Sequence, residues 1–192
     1  MANEDDDVKE SFVHHRTQSL FLALALCFIT LTPVFAQDDL AEPLKPFKPY
    51  LGKTWKGKFA NSTPEKPVHD VSRWERALNG QAVRVLHSVN DGEYGGESLI
   101  FWDAQKKSLV FYYFTTAGFF TTGTTTFENS KFVSHEYVKG AADNGVTEVK
   151  SSSEITADGK MISKAQYLRN GKWEAGHEVV YVEEPSAQVV FK

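Results

Sequence analysis

From residue 52 onward, apolar and polar positions alternate with a period of two in short runs, and no stretch of useful length has helical periodicity. The runs are rich in Val, Ile, Thr and aromatic residues. They cover 52–60, 68–78, 81–90, 95–102, 108–116, 119–127, 131–139, 146–157, 161–169 and 172–183. The connections between them are two to seven residues long, too short for parallel crossovers, so neighbouring strands must run antiparallel. The pattern predicts an all-β fold, an antiparallel up-and-down barrel of about ten strands. A two-sheet sandwich is the alternative. Upstream, residues 37–51 carry Pro43, Pro46 and Pro49. Prolines at that density bar a long helix, so this leader is expected to pack across one end of a barrel domain spanning 52–183, with 184–192 as a C-terminal tail.

Three turns set the expected register. Asn79-Gly80, Asp158-Gly159 and Asn170-Gly171 are two-residue type I′ signals, because both central positions need positive φ. Around Asn79-Gly80 this pairs Trp74 with Val85, Arg76 with Val83 and Ser72 with His87. Glu75 and Arg84 pair on the other face. Trp74, Leu78, Val83, Val85 and Val89 then form the inward face, with His87 on it. The same arithmetic over the last three strands puts Val149, Ile155, Ile162, Leu168, Trp173, Val179 and Tyr181 inward. It places Ser153 opposite Lys164, Lys164 opposite His177 and Ser151 opposite Gln166. Unpaired buried polar groups cost about 1–3 kcal/mol each. Ser151, Ser153, Lys164, Gln166 and His177 together therefore predict mutual satisfaction around water, or a cavity that receives a polar ligand group. A β-bulge would turn Lys164 to the other face.

The segment 20–31 (LFLALALCFITL) is the long apolar run of the chain. As a helix its twelve residues rise about 18 Å, short of the ~30 Å hydrocarbon core. Val34 and Ala36 suit the −3 and −1 positions of a signal-peptidase site. These features predict a signal peptide over 1–36, cleavage before Gln37, and a periplasmic or secreted product with no membrane attachment. Glu4, Asp5, Asp6, Asp7 and Glu10 are unlike a basic n-region, whereas His14, His15 and Arg16 directly precede the apolar run. The expected translation start therefore lies downstream of Met1.

Composition then narrows the chemistry. The chain has 192 residues and a formal charge of −4. Removing 1–36 takes away two basic residues, five acidic ones and the single cysteine, Cys27, leaving a formal charge of −1. A near-neutral, cysteine-free domain offers no basic field for nucleic acid, no disulfide and no thiol nucleophile. His69, His87, His135 and His177 show no zinc-ligand spacing. No GxSxG elbow, P-loop or GxGxxG is present. The strand at 108–114 (SLVFYYF) and the run at 98–102 (SLIFW) are apolar or aromatic on both faces. An outer surface covered by a partner chain, a homodimer, is one expectation from them.

Leu51-Gly52-Lys53-Thr54-Trp55-Lys56-Gly57 resembles the entry strand of the calycin group, which includes lipocalins, fatty-acid-binding proteins and nitrobindin-like barrels. Phe101-Trp102-Asp103 followed by 108–114 resembles secreted bacterial domains with lipocalin-like folds. The resemblance implies a barrel with an internal ligand site. Nitrobindin-like barrels bind haem through a histidine late in the chain, and by position that is His177; the residues themselves call for no cofactor. The expected function is that of an exported barrel binding a small apolar or amphipathic molecule. Trp74, Trp173 and Tyr181 would form apolar wall; His87, Ser151, Ser153, Lys164, Gln166 and His177 would hold the polar or anionic end. The alternatives are a barrel isomerase or hydrolase using His177 with Lys164, and a protein-interaction module without ligand.

Overall fold

The period-two runs become ten strands. They are β1 (Thr54–Phe59), β2 (His69–Ala77), β3 (Ala82–Val89), β4 (Tyr94–Asp103), β5 (Ser108–Thr115), β6 (Phe120–Glu128), β7 (Lys131–Lys139), β8 (Val146–Ile155), β9 (Met161–Arg169) and β10 (Lys172–Glu183). This computed structural model describes residues 39–140 and 145–192. The expected signal peptide and downstream start lie outside the described residues. Each strand pairs antiparallel with its neighbour in sequence, and β10 pairs with β1 to close the barrel. One continuous sheet excludes the sandwich alternative.

The hairpins explain which side chains face inward. At the β2–β3 hairpin the observed pairs are Trp74 with Val85, Arg76 with Val83, Ser72 with His87 and Glu75 with Arg84, as expected. The loop is nevertheless four residues long, with Leu78, Asn79 and Gly80 all at positive φ. Four residues and two give the same register, so the pairs survive. Leu78 does not share the inward face; it leaves the sheet and is 70% exposed. At Asn170-Gly171 both residues have positive φ and Arg169 pairs with Lys172, the expected type I′ turn.

The β8–β9 turn departs from expectation, with consequences for the site. Gly159 donates its N–H to Thr156 O at 2.9 Å, Thr156 donates to Lys160 O at 2.8 Å, and only Gly159 of the turn has positive φ. This is a three-residue connection, a type I turn followed by a left-handed glycine. Its odd length slips the register by one residue, which reverses every side chain on the strand. Ser153 pairs with Ser163, Ser152 with Lys164 and Ser151 with Ala165. Ile162, Lys164, Gln166 and Leu168 therefore face outward. A second irregularity, a bulge between Ala175 and Glu178, leaves Trp173 outward but turns His177 toward the lumen. Gly176 sits in that bulge, where a Cβ would lie 2.9 Å from Ala165 O and from the Tyr167 ring.

The leader closes one end. Glu42–Tyr50 is a 3-10 helix, whose three-residue repeat stacks every third side chain on one face. Leu44, Phe47 and Tyr50 fall on that face and are buried, while Pro43, Pro46 and Pro49 share the same repeat. Phe47 packs against Trp74, Phe127 and Phe132 at ring-centroid distances of 6.0, 4.8 and 5.7 Å. Trp55 is fully buried beside this cluster. On the outer wall Phe101, Tyr112, Phe114 and Phe120 stack in a row. No helix among the described residues is long and apolar enough to cross a membrane.

The plug leaves the Tyr50 hydroxyl buried without a hydrogen-bond partner among the described residues, and burial together with the nearby Glu154 pushes its pKa up to about 12. Two substitutions in this plug should therefore act in opposite directions. Phe47→Ala is expected to lower the free energy of unfolding by about 3–5 kcal/mol through cavity formation. Tyr50→Phe, which keeps the ring and removes the orphaned hydroxyl, is expected to raise it by about 1–3 kcal/mol. Urea denaturation of the full chain measures both.

Candidate functional site

The barrel's inner wall lacks large side chains over much of its circumference. Gly123 on β6, Ser134 on β7, Ser151 and Ser153 on β8 and Ser163 on β9 all face inward at paired positions. They leave a cavity of about 1200 Å³. Its end nearest the plug is apolar, with Trp74, Ile100, Phe111, Phe132 and Val179 in the wall. Asn61, Phe119, Arg169 and Glu174 also line the cavity, and Ser153 and Ser163 pair with Phe132 and Val179 in the wall.

Three groups of side chains carry the larger polar groups of the lining. The first is a hydrogen-bonded chain across five strands. Asp70 is 2% exposed. Its Oδ1 lies 2.8 Å from His87 Nδ1, and its Oδ2 accepts from the Tyr181 hydroxyl at 3.0 Å. His87 Nε2 lies 2.7 Å from the Tyr113 hydroxyl, which bonds to the Tyr94 hydroxyl at 2.9 Å. Gly57, paired with both Asp70 and Tyr181, makes this possible. A Cβ there would lie 2.5 Å from the Tyr181 ring, so only glycine lets that ring cross β1. Burial raises the pKa values of Tyr94, Tyr113 and Tyr181, which keeps the three phenols protonated.

The second group centres on Glu136 of β7. Thr121 Oγ1 donates to its Oε2 at 2.8 Å. Its other oxygen has no hydrogen-bond partner among the described residues, and the residue lines the cavity. Burial raises the pKa of this carboxyl, opposed by the Thr121 hydrogen bond and by the charges of His87 and His135. The third group is His177 with Tyr167. The hydroxyl lies 2.5 Å from His177 Nδ1, and the Phe59 ring stands edge-on at 5.9 Å. Desolvation by the surrounding wall lowers the histidine pKa, which favours the neutral imidazole.

Of the residues expected from sequence, Trp74, His87, Ser151, Ser153, His177 and Tyr181 all line this cavity. Lys164, Gln166 and Trp173 do not, because of the one-residue slip in the β8–β9 turn. Lys164 pairs with Glu178 on the outside at 3.1 Å. Gln166 is exposed, and Trp173 lies under Lys150 Nζ, 4.4 Å from its ring centroid. The expected pairing of His177 with Lys164 is therefore absent, and the acid/base couple built on it falls with it. Asp70, Tyr94, Tyr113, Glu136 and Tyr167 were missed. Extending the Ser72–His87 pair by one inward position on β2 reaches Asp70, which was the available signal. Glu136 had none, since both faces of β7 mix polar and apolar residues.

No family model and no curated protein matches the chain. A solved structure does: that of Rv2717c from M. tuberculosis, at 15% sequence identity, with a TM-score of 0.54, covering 76% of this chain and 99% of that one. The likeness is one of fold.

Two outcomes follow from this geometry. Lys164→Met, on an exposed ion pair, is expected to change stability by less than about 1 kcal/mol and to leave uptake of an apolar fluorescent probe unchanged. Glu136→Gln should behave differently. The fold holds this carboxyl above its ordinary value of 4.5, so folding favours the protonated form. The resulting penalty applies at high pH and is relieved as pH falls through the raised folded-state value toward 4.5. Glu136→Gln is expected to melt at higher temperature than the wild type at pH 8, with the gap narrowing toward pH 5 in scanning fluorimetry.

Proposed function

We infer that this chain is an exported, calycin-like barrel that binds a small, largely apolar molecule in its lumen. The carrying observation is the 1200 Å³ cavity, whose wall is largely apolar and carries a few polar groups. Ligand sites combine such an apolar wall with a few convergent polar groups. The plug of Leu44, Phe47 and Tyr50 supports entry from the end opposite it. Residues 20–36 support export, as set out above, and amino-terminal sequencing of the exported protein is expected to begin at Gln37.

Native mass spectrometry of protein purified from its own compartment tests the binding function. The expected result is an added small-molecule mass that is lost on denaturation. An apo mass alone, together with no uptake of an apolar probe, would overturn it.

One observation favours a second reading, in which the ligand is haem. His177 uses Nδ1 toward Tyr167, which leaves Nε2 for an iron, and its neutral form is the one that ligates metals. Haem would bring its iron as a site for diatomic gases or redox change; His177 would hold it, and Tyr167 would orient the imidazole. A Soret band on haemin titration that disappears in His177→Ala supports this assignment. A band unchanged in that variant removes it.

A further inference from the structure

Resting on the lumen-binding function, the electrostatics of the same cavity select a ligand class. A carboxylate head taken out of water into such a lumen needs a cation beside it. Among the residues lining this lumen there is no lysine. The guanidinium of Arg169 is ion-paired with Glu174. His177 is bonded to the Tyr167 hydroxyl, and His87 is bonded to Asp70. Against these stand the carboxyls of Asp70 and Glu136. Asp70 is saturated by His87 and Tyr181. Glu136 is not: one of its oxygens has no hydrogen-bond partner among the described residues, and the residue lines the cavity.

The surroundings of Glu136 suit a cation as well. Its charge reaches the hydroxyls of Tyr94, Tyr113 and Tyr167, each of which it helps to hold protonated. These phenols add acceptor oxygens, and their rings add negative faces. Across β6, Gly123 pairs with both Glu136 and Phe111, and a Cβ at Gly123 would lie 2.8 Å from the Phe111 ring. That ring therefore lies over the glycine beside the carboxyl. A half-buried carboxyl with one open oxygen, in a lining that also carries the phenols of Tyr94, Tyr113 and Tyr167 and the Phe111 ring, is complementary to an ammonium group and repels a carboxylate.

We propose that the lumen takes an amphipathic amine, with the ammonium head on Glu136 and the apolar body directed toward Trp74, Ile100 and Phe132. The amine restores to Glu136 the partner its ionised form lacks. Fatty-acid-type ligands are rejected by the same group.

The test uses the full chain and the neutral probe N-phenyl-1-naphthylamine, read by energy transfer from tryptophan, with Trp74 in the cavity wall. Dodecylamine, dodecanol and dodecanoate compete for it. The expected result is displacement by dodecylamine at a concentration at least about tenfold below that of dodecanoate. In Glu136→Gln, whose fold is verified by its melting temperature, the two should come within about twofold. Equal displacement by all three head groups retains lumen binding and overturns the amine assignment. Preference for dodecanoate overturns it too. Amine preference that persists in Glu136→Gln removes Glu136 from the role. Absence of probe uptake overturns both the lumen-binding function and this proposal.

Discussion

The closed barrel is tied at its seam by one buried carboxylate. Asp70 sits on β2, accepts from Tyr181 on β10 across the closing strand β1, and bonds to His87 on β3. Isolating a charge there would cost several kcal/mol, so the partners are obligatory. Removing either leaves the other side of the seam holding an unpaired polar group. The chain onward from His87 through Tyr113 to Tyr94 extends the same constraint to β4 and β5. Half of the barrel wall is thus registered by hydrogen bonds inside the lumen, in addition to the strand ladders. Gly57 is the backbone condition for this arrangement, because the Tyr181 ring occupies the space a Cβ would need.

The other half of the wall follows a different rule. Strands β7 to β9 bring small residues inward, and Ser134, Ser151, Ser153 and Ser163 do not fill the space they face. A barrel selected for stability alone would place branched apolar residues there. Apolar packing is instead concentrated in the plug, where Phe47, Tyr50, Trp74, Phe127 and Phe132 interlock. Stability is thereby supplied at one end and vacant volume is kept at the other. The burial of Glu136 belongs with this division. A carboxyl whose pKa is raised by desolvation costs the fold stability at neutral pH.

Much of this was legible in the alternation of residues. The strand spans follow directly from period-two runs and turn signals, and the β2–β3 pairs held because two-residue and four-residue loops share a register. Leu78 shows the limit, since the loop type decides whether that residue belongs to the sheet. The β8–β9 hairpin shows the more serious limit. Asp158-Gly159 is compatible with a two-residue loop and with a three-residue loop ending in a left-handed glycine, and the two differ in every side-chain direction that follows. The bulge at Ala175–Glu178 is a second parity change on the next strand. Together they explain why His177 was placed inward correctly while its expected neighbour Lys164 was not.

That parity change also reverses the chemistry of the lumen. With Lys164 inside, the cavity would present an ammonium group and suit an anionic head. With Lys164 outside on Glu178, the charged groups left toward the lumen are Asp70, Glu136 and the ion-paired Arg169 and Glu174. Asp70 is saturated by the seam and Arg169 by Glu174, so Glu136 holds the polar decision in the cavity. A single loop residue, through the left-handed conformation of Gly159, thus determines the sign of the charge that the lumen presents.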